Sequence, residues 1–414
     1  MLRRFIVAFV VLISGITFAQ EGTSSPYSFY GIGELKFKGT IENRSMGGMS
    51  VYADSIHLNI QNPASVARLG LVNYSVGGSH RVTNLKNAST SEQSTATSLG
   101  YIAIGVPMGK FGASFGLIPF SSVGYDVQLD ANGGTEFYEG TGGLNKAFLT
   151  LGYQITPELS VGVDANYDFG NIENTAVAFL DDVQFGSREF NKSDILGFSF
   201  NFGLAYQKMI TEELELMASA TYTPETNFES DNIREVSTVV ESPGGGELVI
   251  IDSEMEEVPN TDFTFPSQYT LGVGVGKPKK WFAGVEYTDQ KTSNFNNRTF
   301  EITNVTFTDA TKVRLGGFYI PDYKSFTSYF KRIVYRAGFR FEETGIRVDG
   351  TKINEFGITF GVGLPVGRLF SNVNVGFEFG RRGTTDFNLI QENFFNTYIS
   401  LSLNDRWFQK RYYD

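Results

Sequence analysis

The chain has 414 residues, among them 46 glycines, 38 phenylalanines and 20 tyrosines, with no cysteine, two histidines and a formal net charge of −11. No disulfide framework or cysteine-based zinc site can form, and an acidic chain does not neutralise nucleic-acid phosphates. An aromatic content of 14% is foreign to disordered chains, and past the N-terminus no apolar run approaches the roughly 20 residues of a membrane helix.

Residues 1–19 read as a secretory signal peptide. Arg3 and Arg4 supply the positive start, Phe5 to Ile13 the apolar stretch, and Thr17-Phe18-Ala19 the small residues before cleavage, so the exported chain is expected to begin at Gln20. Residues 20–70 show no strand-like alternation, yet they carry Tyr27, Phe29, Tyr30, Ile32, Met46, Met49, Val51 and Ile60. That apolar load is too high for a solvated tail.

From about residue 72 the dominant signal is period two, the mark of a strand with two different faces. Leu159, Val161, Val163, Ala165, Tyr167 and Phe169 alternate with Ser160, Gly162, Asp164, Asn166 and Asp168; Leu196, Phe198, Phe200, Phe202 and Leu204 alternate with Gly197, Ser199, Asn201 and Gly203. The second face is glycine, serine and asparagine, as suits a crowded or wet lumen. An apolar band about 25 Å tall, crossed by tilted strands at about 3.3 Å per residue, needs roughly ten residues per strand. Fourteen segments meet that length: 72–83, 96–107, 110–127, 143–155, 158–170, 195–208, 213–224, 266–276, 279–291, 311–320, 331–343, 353–364, 371–382 and 394–404. The expected fold is all-β, a transmembrane antiparallel barrel of about fourteen strands over residues 71–414, with the aromatics facing outward and lining the rims.

The connections alternate in length. Tight links centre on Met108-Gly109, Thr156-Pro157, Thr211-Glu212 and Pro278, whereas 84–95, 128–142, 171–194, 225–265, 292–310, 344–352 and 383–393 read as long surface loops. The first link is long, so both chain ends are expected on the periplasmic side of an outer membrane. Loop 225–265 carries eleven acidic residues against Arg234 alone, which suits a solvated loop, a cation bridge to lipopolysaccharide, or a protein partner. After the last segment, Trp407, Phe408, Tyr412 and Tyr413 form a terminal aromatic cluster.

Eight strands enclose a filled interior and sixteen or more leave a channel, so fourteen need a plug. Residues 20–70 are the candidate. Ser25-Pro26-Tyr27-Ser28-Phe29-Tyr30-Gly31-Ile32-Gly33, then Arg44-Ser45-Met46-Gly47-Gly48, then Gln61-Asn62-Pro63-Ala64-Ser65 resemble the N-terminal hatch of FadL/TodX-type outer-membrane transporters of hydrophobic compounds. The similarity continues in the run from Gly116 to Tyr125, in Gly140-Thr141-Gly142-Gly143-Leu144-Asn145 and in Leu403-Asn404-Asp405-Arg406-Trp407-Phe408, and so covers nearly the whole exported chain. It implies a hatch built on Met46, Gly47, Gly48, Asn62, Pro63 and Ala64. It also implies lateral release of ligand at a kinked third strand. Pro119 lies in that strand, where it cannot donate a ladder bond, and Gly116 and Gly124 tolerate bulges there.

Catalytic signals are weak. Gly112-Ala113-Ser114-Phe115-Gly116 has the nucleophile-elbow spacing but sits in mid-strand with its alternation intact. Gly272-Val273-Gly274-Val275-Gly276-Lys277 is followed by Pro278 where a phosphate loop needs serine or threonine. No enzyme activity, cofactor or metal is expected. The inward face of the later strands carries Glu286, Arg314, Arg336, Arg340, Glu355 and Glu378, which are expected to pair and pin the hatch; Arg336 and Arg340 are also candidates for a substrate carboxylate. Two functions follow. One is passive uptake of a hydrophobic small molecule, fatty-acid-like or aromatic, by a protein in contact with lipid and lipopolysaccharide. The other is a non-transporting barrel that serves as subunit or scaffold of a larger outer-membrane complex, such as secretion or barrel-assembly machinery.

Overall fold

The computed structural model describes residues 22–131, 133–242, 248–295, 304–366 and 371–406. Its strands are β1 (Glu34–Leu35), β2 (Val72–Lys86), β3 (Ser91–Met108), β4 (Phe111–Pro119), β5 (Ser121–Ala131), β6 (Gly134–Gln154), β7 (Leu159–Leu180), β8 (Gly186–Met209), β9 (Glu215–Thr223) and β10 (Thr226–Glu241). They continue with β11 (Leu248–Glu256), β12 (Thr261–Phe265), β13 (Gln268–Lys277), β14 (Trp281–Gln290), β15 (Val305–Phe307), β16 (Ala310–Tyr319), β17 (Val334–Val348), β18 (Thr351–Val366), β19 (Ser371–Arg382) and β20 (Gln391–Asp405). The signal peptide and the terminal aromatic cluster lie outside the described residues.

Apart from β1, these strands form fourteen staves, since β4–β5, β9–β10, β11–β13 and β15–β16 are each one interrupted stave. Neighbours pair antiparallel around the ring, and β2 against β20 closes it. The alternation puts its apolar members outside: Leu196, Phe198, Phe200, Phe202 and Leu204 are 45–66% exposed, while Ser199 and Asn201 between them are buried. Such a continuous outward apolar face is stable against lipid, not water. No described helix is long and apolar enough to cross a membrane.

The long loops expected at the rim away from the chain ends are mostly strand. β6, β7 and β8 run on as ladders through 128–142 and 171–194, and β10–β12 turn much of 225–265 into sheet. Beyond the lipid band neither face must be apolar, so the ladder continues where the hydropathy pattern fades. The aromatics also depart from expectation. Phe228, Phe263, Phe265 and Phe295 face inward and join Ile32, Val123, Tyr125 and Leu144 in a buried cluster.

Residues 22–70 fill the lumen, touching staves all around the wall. The one-turn helix Ile41–Arg44 packs on β18, β19 and β20, and the 3-10 segment Pro63–Arg68 on β3, β4, β6, β7 and β8. Glycine makes this fit. Gly47 has φ +73°, and a Cβ on it would lie 2.7 Å from the backbone oxygens of Leu315 and Phe339.

Candidate functional site: a break in the wall beside a charged lumen

Proline at position 119 ends β4 because its nitrogen has no hydrogen to give the ladder. β3 pairs with β4 only from Ile102 to Met108, and among the described residues Ser91–Tyr101 of β3 have no ladder partner on that side. The stave does not resume beside β3. Phe120 keeps one bond to β6, from its N–H to the Leu144 carbonyl (2.7 Å), and Ser121–Tyr125 are buried on both faces, so β5 has turned inward. The opposing strand accommodates the turn with Gly142 and Gly143, at φ +107° and +143°; a Cβ on Gly143 would lie 2.4 Å from the Ser121 carbonyl oxygen. The edge that β3 leaves free on β5 is taken by the luminal segment, with Glu34 and Leu35 of β1 opposite Ser122 and Ser121.

A cavity of about 380 Å³ lies between the luminal segment and this part of the wall. Its apolar lining includes Leu35, Ile118, Pro119, Phe120, Phe265 and Phe295, and it reaches Ala96 and Ser98 on the unpaired part of β3. Phe120 meets Phe265 edge-on, with centroids 5.0 Å apart, and carries the Lys146 ammonium on its face at 4.2 Å. The cavity is apolar toward the break in the wall and charged on its far side, where Glu34, Lys36, Arg81, Arg340, Glu355 and Arg382 line it.

The opposite side of the same lumen is a network of buried ions. Glu378 accepts from Arg44 of the luminal helix at 2.8 Å, from Arg340 at 2.7 Å and from Tyr398. Arg340 also donates to Glu355, which accepts from Arg382 at 2.5 Å. Glu34 accepts from Arg81 at 2.6 Å and Arg382 at 2.9 Å and pairs with Lys36 at 3.1 Å. Burial opposes its ionisation, yet the charges of Arg81, Lys36 and Arg382 hold Glu34 well below the usual carboxylate range. Glu286 receives Arg314 at 2.6 Å and the Ser50 N–H and hydroxyl at 2.6 and 2.7 Å. These contacts join the luminal segment to the wall.

The residues singled out from sequence are distributed as follows. Met46, Gly47 and Gly48 lie against β16, β17 and β18, where Thr359 accepts from the Gly47 N–H at 3.0 Å. Asn62 caps Ala64 and donates to the Leu204 carbonyl, and Pro63 sits over Gly162 and Gly203, where no Cβ would fit. Gly116 lies on the regular part of β4, opposite Phe148, and Gly124 on the inward-turned β5, where the Ser28 hydroxyl accepts from its N–H. Both Glu355 and Glu378 occupy Arg340, while Arg336 donates to Asn374 at 3.1 Å. Ser114 is a buried mid-strand residue of β4, opposite Thr150 on β6. Sequence reasoning missed the inward aromatics; the Phe263-Thr264-Phe265 alternation is the signal that pointed to them. Among the described residues no group of three acidic or histidine side chains converges as metal ligands.

The fourteen-stranded antiparallel barrel resembles the fold of solved FadL/TodX-type proteins. The chain is similar in fold to the toluene transporter TbuX of Ralstonia pickettii, with 14% identity and a TM-score of 0.58 over 89% of this chain and 99% of that one. It is equally similar to the Pseudomonas putida toluene transporter TodX (14%, 0.58, covering 89% and 99%) and to a Pseudomonas aeruginosa FadL homologue (10%, 0.59, covering 90% and 98%). No curated protein sequence matches the chain. The chain belongs to the BamG family, which it matches over residues 1–414.

Proposed function

We propose that the protein passes hydrophobic small molecules, fatty-acid-like or aromatic, across an outer membrane and releases them sideways between β3 and β5. The observation that carries this reading is the edge of β3 beside Pro119 that has no ladder partner among the described residues, reached by a cavity whose near side is apolar. Residues 20–70 act as the hatch, residues 71–414 as the barrel, and the rim with both chain ends and the tight turns faces the periplasm. Sideways release keeps an apolar ligand from water, which would cost about 0.8 kcal/mol per exposed methylene. Arg336 is better placed than Arg340 to meet a ligand carboxylate, because two wall glutamates already hold Arg340. Uptake of a labelled long-chain fatty acid and of labelled toluene tests the proposal in cells with the wild type, with Pro119→Val and with Ala96→Trp, which fills the slot. Both variants slow uptake if release is lateral. Unchanged uptake by Ala96→Trp refutes the exit, and a wild type no faster than an empty membrane refutes transport.

Membership of the BamG family along the whole chain, against 10–15% identity to the solved transporters, supports a second reading: a barrel subunit or scaffold of a larger outer-membrane complex. The ion-paired lumen suits that role, since it ties the hatch to the wall through Arg44 to Glu378, Arg81 to Glu34 and Ser50 to Glu286. Purification in mild detergent from the native membrane, with mass spectrometry of proteins and lipids, separates the two. A stoichiometric protein partner with no bound apolar ligand favours the scaffold.

A further inference from the structure

Above Arg234, β10 keeps β8 on one edge and pairs on the other with β11, which itself pairs with β10 alone among the described residues. All nine residues of β11 are exposed. Leu248, Val249, Ile250 and Ile251 are 43–56% exposed and Met255 64%, although this part of the stave rises at the rim away from the chain ends. A long, apolar strand edge with unpaired N–H and C=O groups is a template for another chain, and proteins blunt such edges with lysine, proline or a covering element. Among the described residues β11 has none of these; its one irregularity is a bulge at Ile251, the extra residue between Asp252 opposite Thr238 and Ile250 opposite Val239.

The charges indicate the occupant. Asp252, Glu254 and Glu256 share one face of β11 and follow the apolar Leu248–Ile251 half. A second copy added antiparallel about its centre would set Asp252 against Asp252 and Leu248 against Glu256, and a parallel copy would set every acid against itself. Like charges directly opposite are destabilising. We infer that β11 is a docking edge for an extended segment of a different protein, added as a further strand, apolar opposite residues 248–251 and bearing lysine or arginine opposite Asp252, Glu254 and Glu256. This goes beyond uptake and holds whether or not the barrel conducts.

The test uses the full-length barrel in detergent and a nine-residue peptide with lysine at its first, third and fifth positions and β-branched apolar residues elsewhere. The peptide binds, while versions with glutamate for lysine, or with alternate amides N-methylated, bind about tenfold more weakly or not at all. The double variant Asp252→Lys with Glu254→Lys reverses the preference between the lysine and glutamate peptides. Equal binding of the N-methylated peptide overturns strand addition, because charge alone then suffices. Self-association of the barrel that is lost in the Asp252→Lys, Glu254→Lys variant overturns the choice of partner in favour of a second copy. No binding of the lysine peptide overturns the proposal.

Discussion

Glu378 is fully buried on β19 and ties the luminal helix Ile41–Arg44 to the wall. Its carboxylate accepts from both Nε and Nη2 of Arg44 (3.0 and 2.8 Å), from Arg340 (2.7 Å), from Asn396 (3.0 Å) and from Tyr398. Glu378→Gln keeps the shape and an acceptor oxygen but removes the charge. Arg340 retains Glu355, so the loss falls mainly on Arg44, which keeps its cation–π contact with Phe37 at 4.8 Å. Removing one partner of a buried ion pair costs about 3–5 kcal/mol, and the surviving contacts put this case near the lower end. Detachment of the helix from the wall is then favoured roughly a hundredfold more than in the wild type. Hydrogen exchange of the Arg44, Ser45 and Gly48 amides, which the helix and its exit bond internally, reads that opening. Those amides should exchange roughly a hundredfold faster while the β7–β8 ladder is unchanged. Arg44→Met added to Glu378→Gln should recover part of the loss, because it removes the stranded cation. Exchange within a small factor of the wild type, or strict additivity of the two changes, would refute the view that this pair holds the hatch.

Gly47→Ala and Gly109→Ala share a backbone φ of +73°, but only Gly47 faces backbone oxygens, while nothing lies within 4 Å of Gly109. Gly109→Ala should cost about 1–2 kcal/mol for its left-handed backbone, and Gly47→Ala clearly more, as read by denaturant midpoints. Gly143→Val drives a side chain into the Ser121 carbonyl and should destabilise the barrel by about 1–3 kcal/mol, with lost protection in β5 as the local signature. The hatch also holds a pH-dependent pair, His57 and Asp54, joined at 2.6 Å. Burial pushes the His57 pKa down but Asp54 more than offsets this, so it is raised; burial likewise opposes the lowered pKa of Asp54, which His57 brings about. The pair therefore stabilises the fold from above the ordinary aspartate range up to the raised histidine value. Its contribution is lost as pH rises through that value, and again as pH falls through the lowered aspartate value. Melting curves of the wild type between pH 6 and pH 9 should show a decline in stability that Asp54→Asn lacks; equal slopes would refute the assignment.

The membrane-facing part of this fold was legible because lipid imposes a rule on every second residue. The run from Leu196 to Leu204 could not alternate so strictly for another reason, and the count of fourteen staves followed. Where the rule stops, so did legibility. Gly186–Ser193 and Thr226–Thr238 form ladders as regular as those below them, yet with polar groups on both faces they read as loops. Inward charges such as Glu286 and Arg314 were legible as a pair-forming set, since an unpaired ion in the lumen is costly, and they sit opposite one another in register. Their partners on the hatch were not legible, because Arg44 and Ser50 lie in a segment without period.

The break in the third stave depends on an agreement among three distant segments that no local pattern carries. Pro119 can end a ladder, but a proline at a sheet edge is ordinarily absorbed in a closed wall. The inward turn also needs Gly142–Gly143 on the facing strand to let Ser121 approach, and Gly33 on the hatch, whose Cβ would lie 2.4 Å from the Ser122 carbonyl, to bring Glu34 and Leu35 onto the freed edge of β5. β1 of the luminal segment therefore stands where β3 would be as the partner of β5, and that edge of β3 has no ladder partner among the described residues. The luminal segment and the break in the wall are one arrangement: moving the segment frees the edge of β5, and pairing β5 with β3 would exclude β1. The charged ties of Arg44 to Glu378 and of Arg81 to Glu34 thus bear on the wall as well as on the lumen, because whatever loosens them also bears on whether β5 keeps its luminal partner.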